Sequence, residues 1–250
     1  MDNEKRNGKF TQEEYASMIE KLKENSYIFA EFTEAEELLE KNIPFVLMRH
    51  DVDMDLQLAL EIAKIEAKLN VSSTFFFLLR TDHYNLFSDQ GTNIVKQILD
   101  LGHHLGLHFD NAAYPDMEVS KLAKACSKEA EVLENWFSKP INIVSYHRPS
   151  EIVLQGSPKL SAPRKHTYMP LYTRNIKYCS DSTGNWRHGS PEDLEEFKQK
   201  KPLQILTHPI WWNVDSIPAY DTLKNLVVRK NEQFEDSLAQ NCKVFRQDKE

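Results

Sequence analysis

Cysteine is scarce in this chain: Cys126, Cys179 and Cys242 stand far apart, and no Cys-x-x-Cys pair occurs. That excludes a zinc ribbon and a disulfide framework and leaves reduced thiols as the expectation. Long apolar runs are lacking too. No stretch approaches the ~20 apolar residues of a membrane span, and the opening MDNEKRNGKF has no secretory core. No membrane span and a cytoplasmic location are therefore expected. Neither a G-x-G-x-x-G nor a P-loop is present, which removes the usual nucleotide signals. Positive charge is not in excess either. The formal net charge of -7 gives no global basic field, so nucleic acid is not an expected partner.

What is present suits one sizeable core. The chain has 250 residues, 40% of them hydrophobic, and a chain of this size buries roughly three-quarters of its unfolded surface without staples. A single domain over 1–250 is expected, with a helical extension over 1–43. Thr11 to Asn25 opens with a capping-box pattern and continues at helical spacing, and a short helix is expected over Glu34 to Lys41. Thereafter short apolar runs alternate with helical stretches. Strands are expected at Phe45 to Met48, Ser73 to Leu79, Leu105 to Phe109, Ile141 to Tyr146, Lys177 to Ser180 and Leu203 to Thr207. Helices are expected over Leu56 to Leu69, Thr92 to Leu101, Glu118 to Phe137, from Ser190, and over Tyr220 to Asn241. The stretch from Pro149 to Asn175 reads as irregular. Its basic part, with Lys159, Arg164, Lys165, His166, Arg174 and Lys177, suits either a solvated flap or a cradle for the phosphates of a nucleotide- or lipid-linked sugar.

Six strands alternating with helices indicate parallel βαβ units, because parallel strands need helical crossovers. A doubly wound sheet and a (β/α) barrel both fit. The chemical residues favour the barrel, since all stand at the carboxyl ends of expected strands: Asp51 and Asp53, Arg80, His108, His147 and Arg148, Asp181, and His208. In a barrel those ends converge on one mouth; in an open sheet only strands near the switch point would meet. The fold class expected is α/β, a distorted and even incomplete (β/α) barrel of parallel strands.

Two carboxylates two residues apart, Asp51 and Asp53, can divide labour, one holding a cation and the other taking a proton from water. The plainer alternative is that Asp53 caps the following helix. Among the imidazoles of Gly102 to Asp110, alternation puts His104 and His108 on one face and His103 on the other. His108 lies nearest the carboxyl end and is the ligand candidate; His103 and His104 read as structural. A zinc site wants three protein ligands and an open fourth position, and Asp53 with His108 supplies two.

Phe45 to Asp53, Gly102 to Asp110, Tyr146 to Pro149, Ser180 to Trp186, and Leu206 to His208 stand in the order of the five motifs of polysaccharide deacetylases. Over residues 44–212 the chain thus resembles that family, the NodB-homology group or carbohydrate esterase family 4. The resemblance implies that Asp51 is the catalytic base, Asp53 and His108 are metal ligands, and Arg148 orients the base. It further implies that Asp181 supports His208 as the general acid, while Trp186 walls the pocket. One position departs from the pattern. Where the family carries a second histidine four residues after His108, this chain has Ala112, leaving Asp110, His147 or a water to complete the site. Arg80 and Trp211 are added as substrate contacts, because two consecutive tryptophans on a strand cannot both face inward.

The activity implied is metal-dependent removal of an N-acetyl or other N-acyl group from an amino sugar of a surface polysaccharide or its precursor. Zinc is the expected cation, with cobalt or manganese as substitutes. Two other readings stay open: an inactive glycan-binding relic, supported by Ala112, and an amide hydrolase for a small non-sugar substrate.

Overall fold

A computed structural model describes residues 8–115, 117–187 and 189–247; residues 1–7 of the expected extension lie outside them. In chain order the elements are α1 (Gln12–Glu24), β1 (Ile28–Phe29), α2 (Ala35–Glu40), β2 (Phe45–Val52), α3 (Leu56–Lys68), β3 (Thr74–Leu78), α4 (Asp89–Asp100) and β4 (His104–Asp110). There follow α5 (Val119–Phe137), β5 (Ile143–His147), α6 (Glu151–Leu154), β6 (Lys165–His166), α7 (Pro170–Arg174) and β7 (Lys177–Ser180). The chain closes with α8 (Glu195–Lys198), β8 (Leu203–Thr207), α9 (Ala219–Asn241) and α10 (Lys243–Gln247).

All strand pairings are parallel, and the sheet runs β6-β5-β4-β3-β2-β8-β7 with β1 beside β2. Among the described residues no pairing joins β6 to β7. The curled sheet with its surrounding helices is therefore a distorted, incomplete (β/α) barrel. Alternation along β2 sorts its side chains between two cores. Phe45 and Leu47 join Phe32, Phe76, Ile143 and Tyr172 inside the curl. Val46, Met48 and Val52 pack outward with residues of α1 and α3 such as Tyr15, Ile19, Leu60 and Ala63. Continuing the inner face upward by twos from Leu47 gives Arg49, Asp51 and Asp53. The floor of the curl is thus apolar and its mouth is ionic.

Gly106, on the inner face of β4, stands beside Phe76 of the adjacent β3. A Cβ there would lie 2.5 Å from the Phe76 ring, so no other residue fits without displacing that ring.

Residues 8–40 are tied into the sheet. Ile28 and Phe29 pair with Phe45 and Val46. Thr11 caps α1 by accepting the Glu14 amide at 3.1 Å, and α1 buries Tyr15, Met18, Ile19 and Leu22 at helical spacing. Behind β2, on the helix side, lies a buried polar knot. Glu66 accepts from Tyr15 at 2.7 Å, from Ser73 at 2.5 Å and from His50 Nε2 at 3.1 Å. His50 Nδ1 in turn meets Thr207 Oγ1 at 2.7 Å. These bonds fix α1, α3, β2 and β8 to one another directly beneath the residues at the mouth.

The stretch 149–175 is no loose flap. It carries α6, β6 and α7 and buries Leu160, His166, Thr167 and Tyr172. Arg164 pairs with Glu134 at 2.6 Å and Lys165 with Glu36 at 2.7 Å, so these two cations tie the stretch to the fold.

Candidate active site

The strand ends of β2, β4, β5 and β8 bring the site together. Asp53 follows the last residue of β2, and it does not cap α3. That task falls to Asp55, whose carboxylate accepts from Gln57 N at 2.8 Å and Leu58 N at 3.0 Å. Relieved of capping, Asp53 turns its Oδ1 towards His108 Nε2 at 3.2 Å and His147 Nδ1 at 3.5 Å. The three ligand atoms lie within 4.8 Å of one another. Asp53 Oδ1 is buried with no hydrogen-bond partner, a costly state unless a cation or its equivalent faces it. Tetrahedral zinc with bonds of about 2.0–2.2 Å needs ligand atoms roughly 3.3–3.6 Å apart, close to the separations from Asp53 Oδ1. The residues therefore fit a divalent cation. Burial pushes the His147 pKa below its ordinary value against the pull of Asp53, which favours the neutral ring a metal ligand must be. One feature is unusual for a ligand: His108 Nδ1 has no outer partner to fix its ring.

His147 thus stands where the sequence left a gap. Ala112, the departure from the family pattern, lies exposed in a turn after β4 (Asn111–Ala113). Asp110 is otherwise engaged. Both of its oxygens accept from Arg148, through Nε at 3.1 Å and through Nη2, and its Oδ1 also takes the Ala112 amide at 3.2 Å.

This pairing corrects the role expected of Arg148, whose guanidinium grips Asp110 and is largely exposed. The arginine on Asp51 is Arg49, two residues earlier on the same inner face. Its Nε donates to Asp51 Oδ1 at 2.9 Å and its Nη2 to Oδ2 at 2.7 Å, with both side chains only 4% exposed. Ser145 of β5 joins the pair, accepting from Arg49 Nη2 and donating to Asp51 Oδ2 at 3.3 Å. Burial alone would raise the Asp51 pKa, but Arg49 and the nearby His108 outweigh it and hold the carboxyl below the usual carboxylate range. Asp51 Oδ2 is 3.5 Å from His108 Nε2, so this carboxylate borders the candidate cation site. The expected strand stopped at Met48, whereas β2 continues to Val52 and so puts Arg49 on the same face as Asp51. The period-2 face it shares with Asp51 was the available signal.

On the opposite side stands His208, directly after β8. Its Nδ1 donates to Asp181 Oδ1 at 2.6 Å, and Nε2 is left 3.9 Å from Asp53 Oδ2. Asp181 is fully buried. It also accepts the His208 amide at 2.9 Å and Trp212 Nε1 at 2.8 Å. Burial opposes charge on His208, yet the Asp181 carboxylate, with Asp53 and Asp51 beyond it, lifts the His208 pKa to about 9.

The tryptophans depart from expectation. Trp186 is buried against Phe10 and Trp212, with ring centroids 5.9 and 6.2 Å away, and does not line the mouth. Trp211 and Trp212 are both buried, at 7% and 2% exposure. The segment after His208 is a short 3-10 turn (Pro209–Trp211), so strand alternation does not apply. The tryptophan that serves the site is Trp212, through Asp181. The mouth itself is a cleft of about 620 Å³ whose walls include Asp53, Met54, Arg80, His83, His147 and Arg148. Arg80 lies over the Tyr114 ring at 4.9 Å.

No family model and no curated protein matches this sequence. Several solved structures are similar to it. One is IcaB from Ammonifex degensii, at 19% identity over 59% of this chain and 69% of that one, with a TM-score of 0.44. Another is the Streptococcus pyogenes deacetylase PplD in complex with acetate, at 13% identity over 85% of each chain, with a TM-score of 0.47. A third is a CE4 family pseudoenzyme from Bacillus anthracis, at 15% identity over 76% of this chain and 61% of that one, with a TM-score of 0.42. Among the described residues, no helix is long and apolar enough to cross a membrane.

Proposed function

We propose that this protein is a metal-dependent hydrolase that removes an N-acetyl or related N-acyl group from an amino sugar of a surface polysaccharide or its precursor. It would act in the cytoplasm, before export, as a single catalytic domain, with zinc as the cation and cobalt or manganese as substitutes. One observation carries the reading: Asp53, His108 and His147 converge between a buried carboxylate on one side, Asp51, and a carboxylate-backed imidazole on the other, His208.

Polarisation of the acyl carbonyl and a lowered pKa for attacking water are the chemistry that a cation held by Asp53, His108 and His147 would supply. The remaining work belongs to the protein's own groups. Asp51, ionised and clamped by Arg49 and Ser145, accepts the proton of the attacking water. His208, protonated at neutral pH because Asp181 sustains its charge, donates from Nε2 to the departing amine nitrogen. Asp181 fixes the ring through Nδ1, so that Nε2 faces the mouth. Arg80 and the Arg148–Asp110 pair wall the cleft where the sugar would lie.

The test measures cation content and release of acetate from N-acetylated amino sugars together. Protein supplied with zinc is expected to retain about one equivalent. Asp51→Asn and His208→Asn are each expected to lower turnover by ~10²-fold or more while the cation is retained. A protein that takes up no zinc, cobalt or manganese is the inactive relic. One that holds the cation but releases acyl groups only from small non-sugar amides has a different substrate class.

A further inference from the structure

A groove runs away from the mouth along α5, and its chemistry differs from that of the cleft. Leu79 lines both, so the two lie side by side. The groove holds about 540 Å³, and Leu79, Tyr114, Met117, Ala125 and Val132 give it an apolar lining. Past Val132, itself 44% exposed, the apolar surface extends to Trp136 and Phe87, whose rings meet at 4.9 Å and which are 48% and 37% exposed. Contiguous exposed apolar surface of this kind marks a binding site more often than chance placement.

Cations rim the groove. Lys121, Lys124 and Lys128 stand exposed along α5 at spacings of three and four residues, hence on one face. The acidic residue lining the groove, Glu129, is buried, receives the Tyr114 hydroxyl at 2.6 Å, and is pushed towards its neutral form by burial, while Glu131 beside it accepts from Ser127 at 2.9 Å. In a chain of net charge -7 this is a local positive strip above an apolar floor. The aliphatic part of the floor offers no partners for sugar hydroxyls, and the Tyr114 hydroxyl is already donated to Glu129, so a glycan chain does not suit it. A hydrocarbon chain does, and a phosphate suits the lysines. From Lys121 to Val132 the helix runs about 16 Å, room for an extended chain rather than one methyl group.

We infer that the amino sugar reaches the mouth attached to a lipid phosphate, with the apolar chain in the α5 groove and the phosphate held by Lys121, Lys124 and Lys128. This rests on the hydrolase reading for the sugar end, but the groove can be tested independently of turnover.

Titration calorimetry on the full chain with hexyl, octyl and decyl phosphate, each below its micelle concentration, reads the groove directly. Saturable 1:1 binding is expected, tightening about three- to fourfold per methylene, the gain for burying one CH₂. Octyl glucoside and inorganic phosphate are each expected to bind at least tenfold more weakly than octyl phosphate. Val132→Asp, and Lys124→Glu with Lys128→Glu, alter exposed positions and are each expected to weaken decyl phosphate binding tenfold or more at an unchanged melting temperature. The wild-type chain-length series does not depend on either variant folding. Affinity that does not change with chain length overturns the inference, as does equal binding of octyl glucoside. Binding to phosphatidylglycerol vesicles without saturable uptake of dispersed alkyl phosphate also overturns it, in favour of a membrane-docking surface. Zinc retention on the same preparation reads the hydrolase proposal separately. Cation without alkyl phosphate sinks the groove alone, and alkyl phosphate without cation sinks the hydrolase alone.

Discussion

Arg49 and Arg148 offer the sharpest test of the site, because the motif pattern gives the arginine on Asp51 to one and the structure gives it to the other. Arg49→Met keeps the length of the side chain but leaves Asp51 buried with its principal counter-charge removed. Breaking a buried pair in this way costs about 3–5 kcal/mol, because the surviving charge is desolvated without compensation. For a chain of 150–250 residues each kcal/mol moves the melting temperature about 2–4 °C, so a drop of roughly 6–20 °C is expected. Arg148→Met breaks a pair whose guanidinium is 60% exposed, and solvent screening holds its cost to at most about 1 kcal/mol. Adding Asp51→Leu to Arg49→Met removes both charges and is expected to restore at least ~2 kcal/mol of the loss. Urea titrations of the four proteins, compared at equal slope, give the numbers. The pH dependence has a fixed sign. The folded-state pKa of Asp51 is depressed, so its stabilising contribution is full above the unfolded value of about 3.9 and fades as pH falls below it. The gap between wild type and Arg49→Met should therefore narrow in acid. An Arg49→Met protein within 1 kcal/mol of wild type, or one less damaged than Arg148→Met, would refute the assignment.

Three further outcomes follow from the same geometry. His147→Ala removes one of the three proposed ligands, and zinc affinity measured against a chromophoric chelator should fall by more than the ~10–100-fold typical of losing an outer-shell partner; unchanged affinity would exclude His147 from the site. In chelator-treated protein His208 contributes stability through its raised pKa, fully present below its unfolded value of about 6.5 and lost as pH rises through about 9. The melting-temperature gap between wild type and His208→Asn should be wide at pH 6 and nearly closed at pH 10, and a gap that widens with pH would contradict this. Gly106→Ala forces a methyl group against the Phe76 ring and should cost about 1–3 kcal/mol through overpacking, read by urea denaturation; a neutral result would mean that the ring has room to move.

The alternation of apolar runs with helical periods made six parallel strands legible, because the period of a segment is set by local backbone geometry. The residues at the strand ends were legible for the same reason, since a polar residue that stops an apolar run marks where a strand emerges. The pairing of those residues was not. Arg148 and Arg49 both lie within reach of the mouth by sequence, and only the register of β2 with β5, through β3 and β4, decides which guanidinium meets Asp51. The tryptophans misled because a two-residue alternation was carried past Thr207, where Pro209 ends the strand and the chain turns.

Residue order alone pointed to parallel strands and to carboxyl ends that carry Asp51, Asp53, His108, His147 and His208. Those are properties of local spacing and residue type. The tertiary structure alone decided that β6 and β7 leave the barrel open, that His147 faces Asp53, and that Trp212 rather than Trp186 serves Asp181. Each of these depends on the curl of the sheet and the stagger between strands, which bring together atoms more than thirty residues apart, and no short-range pattern records such distances.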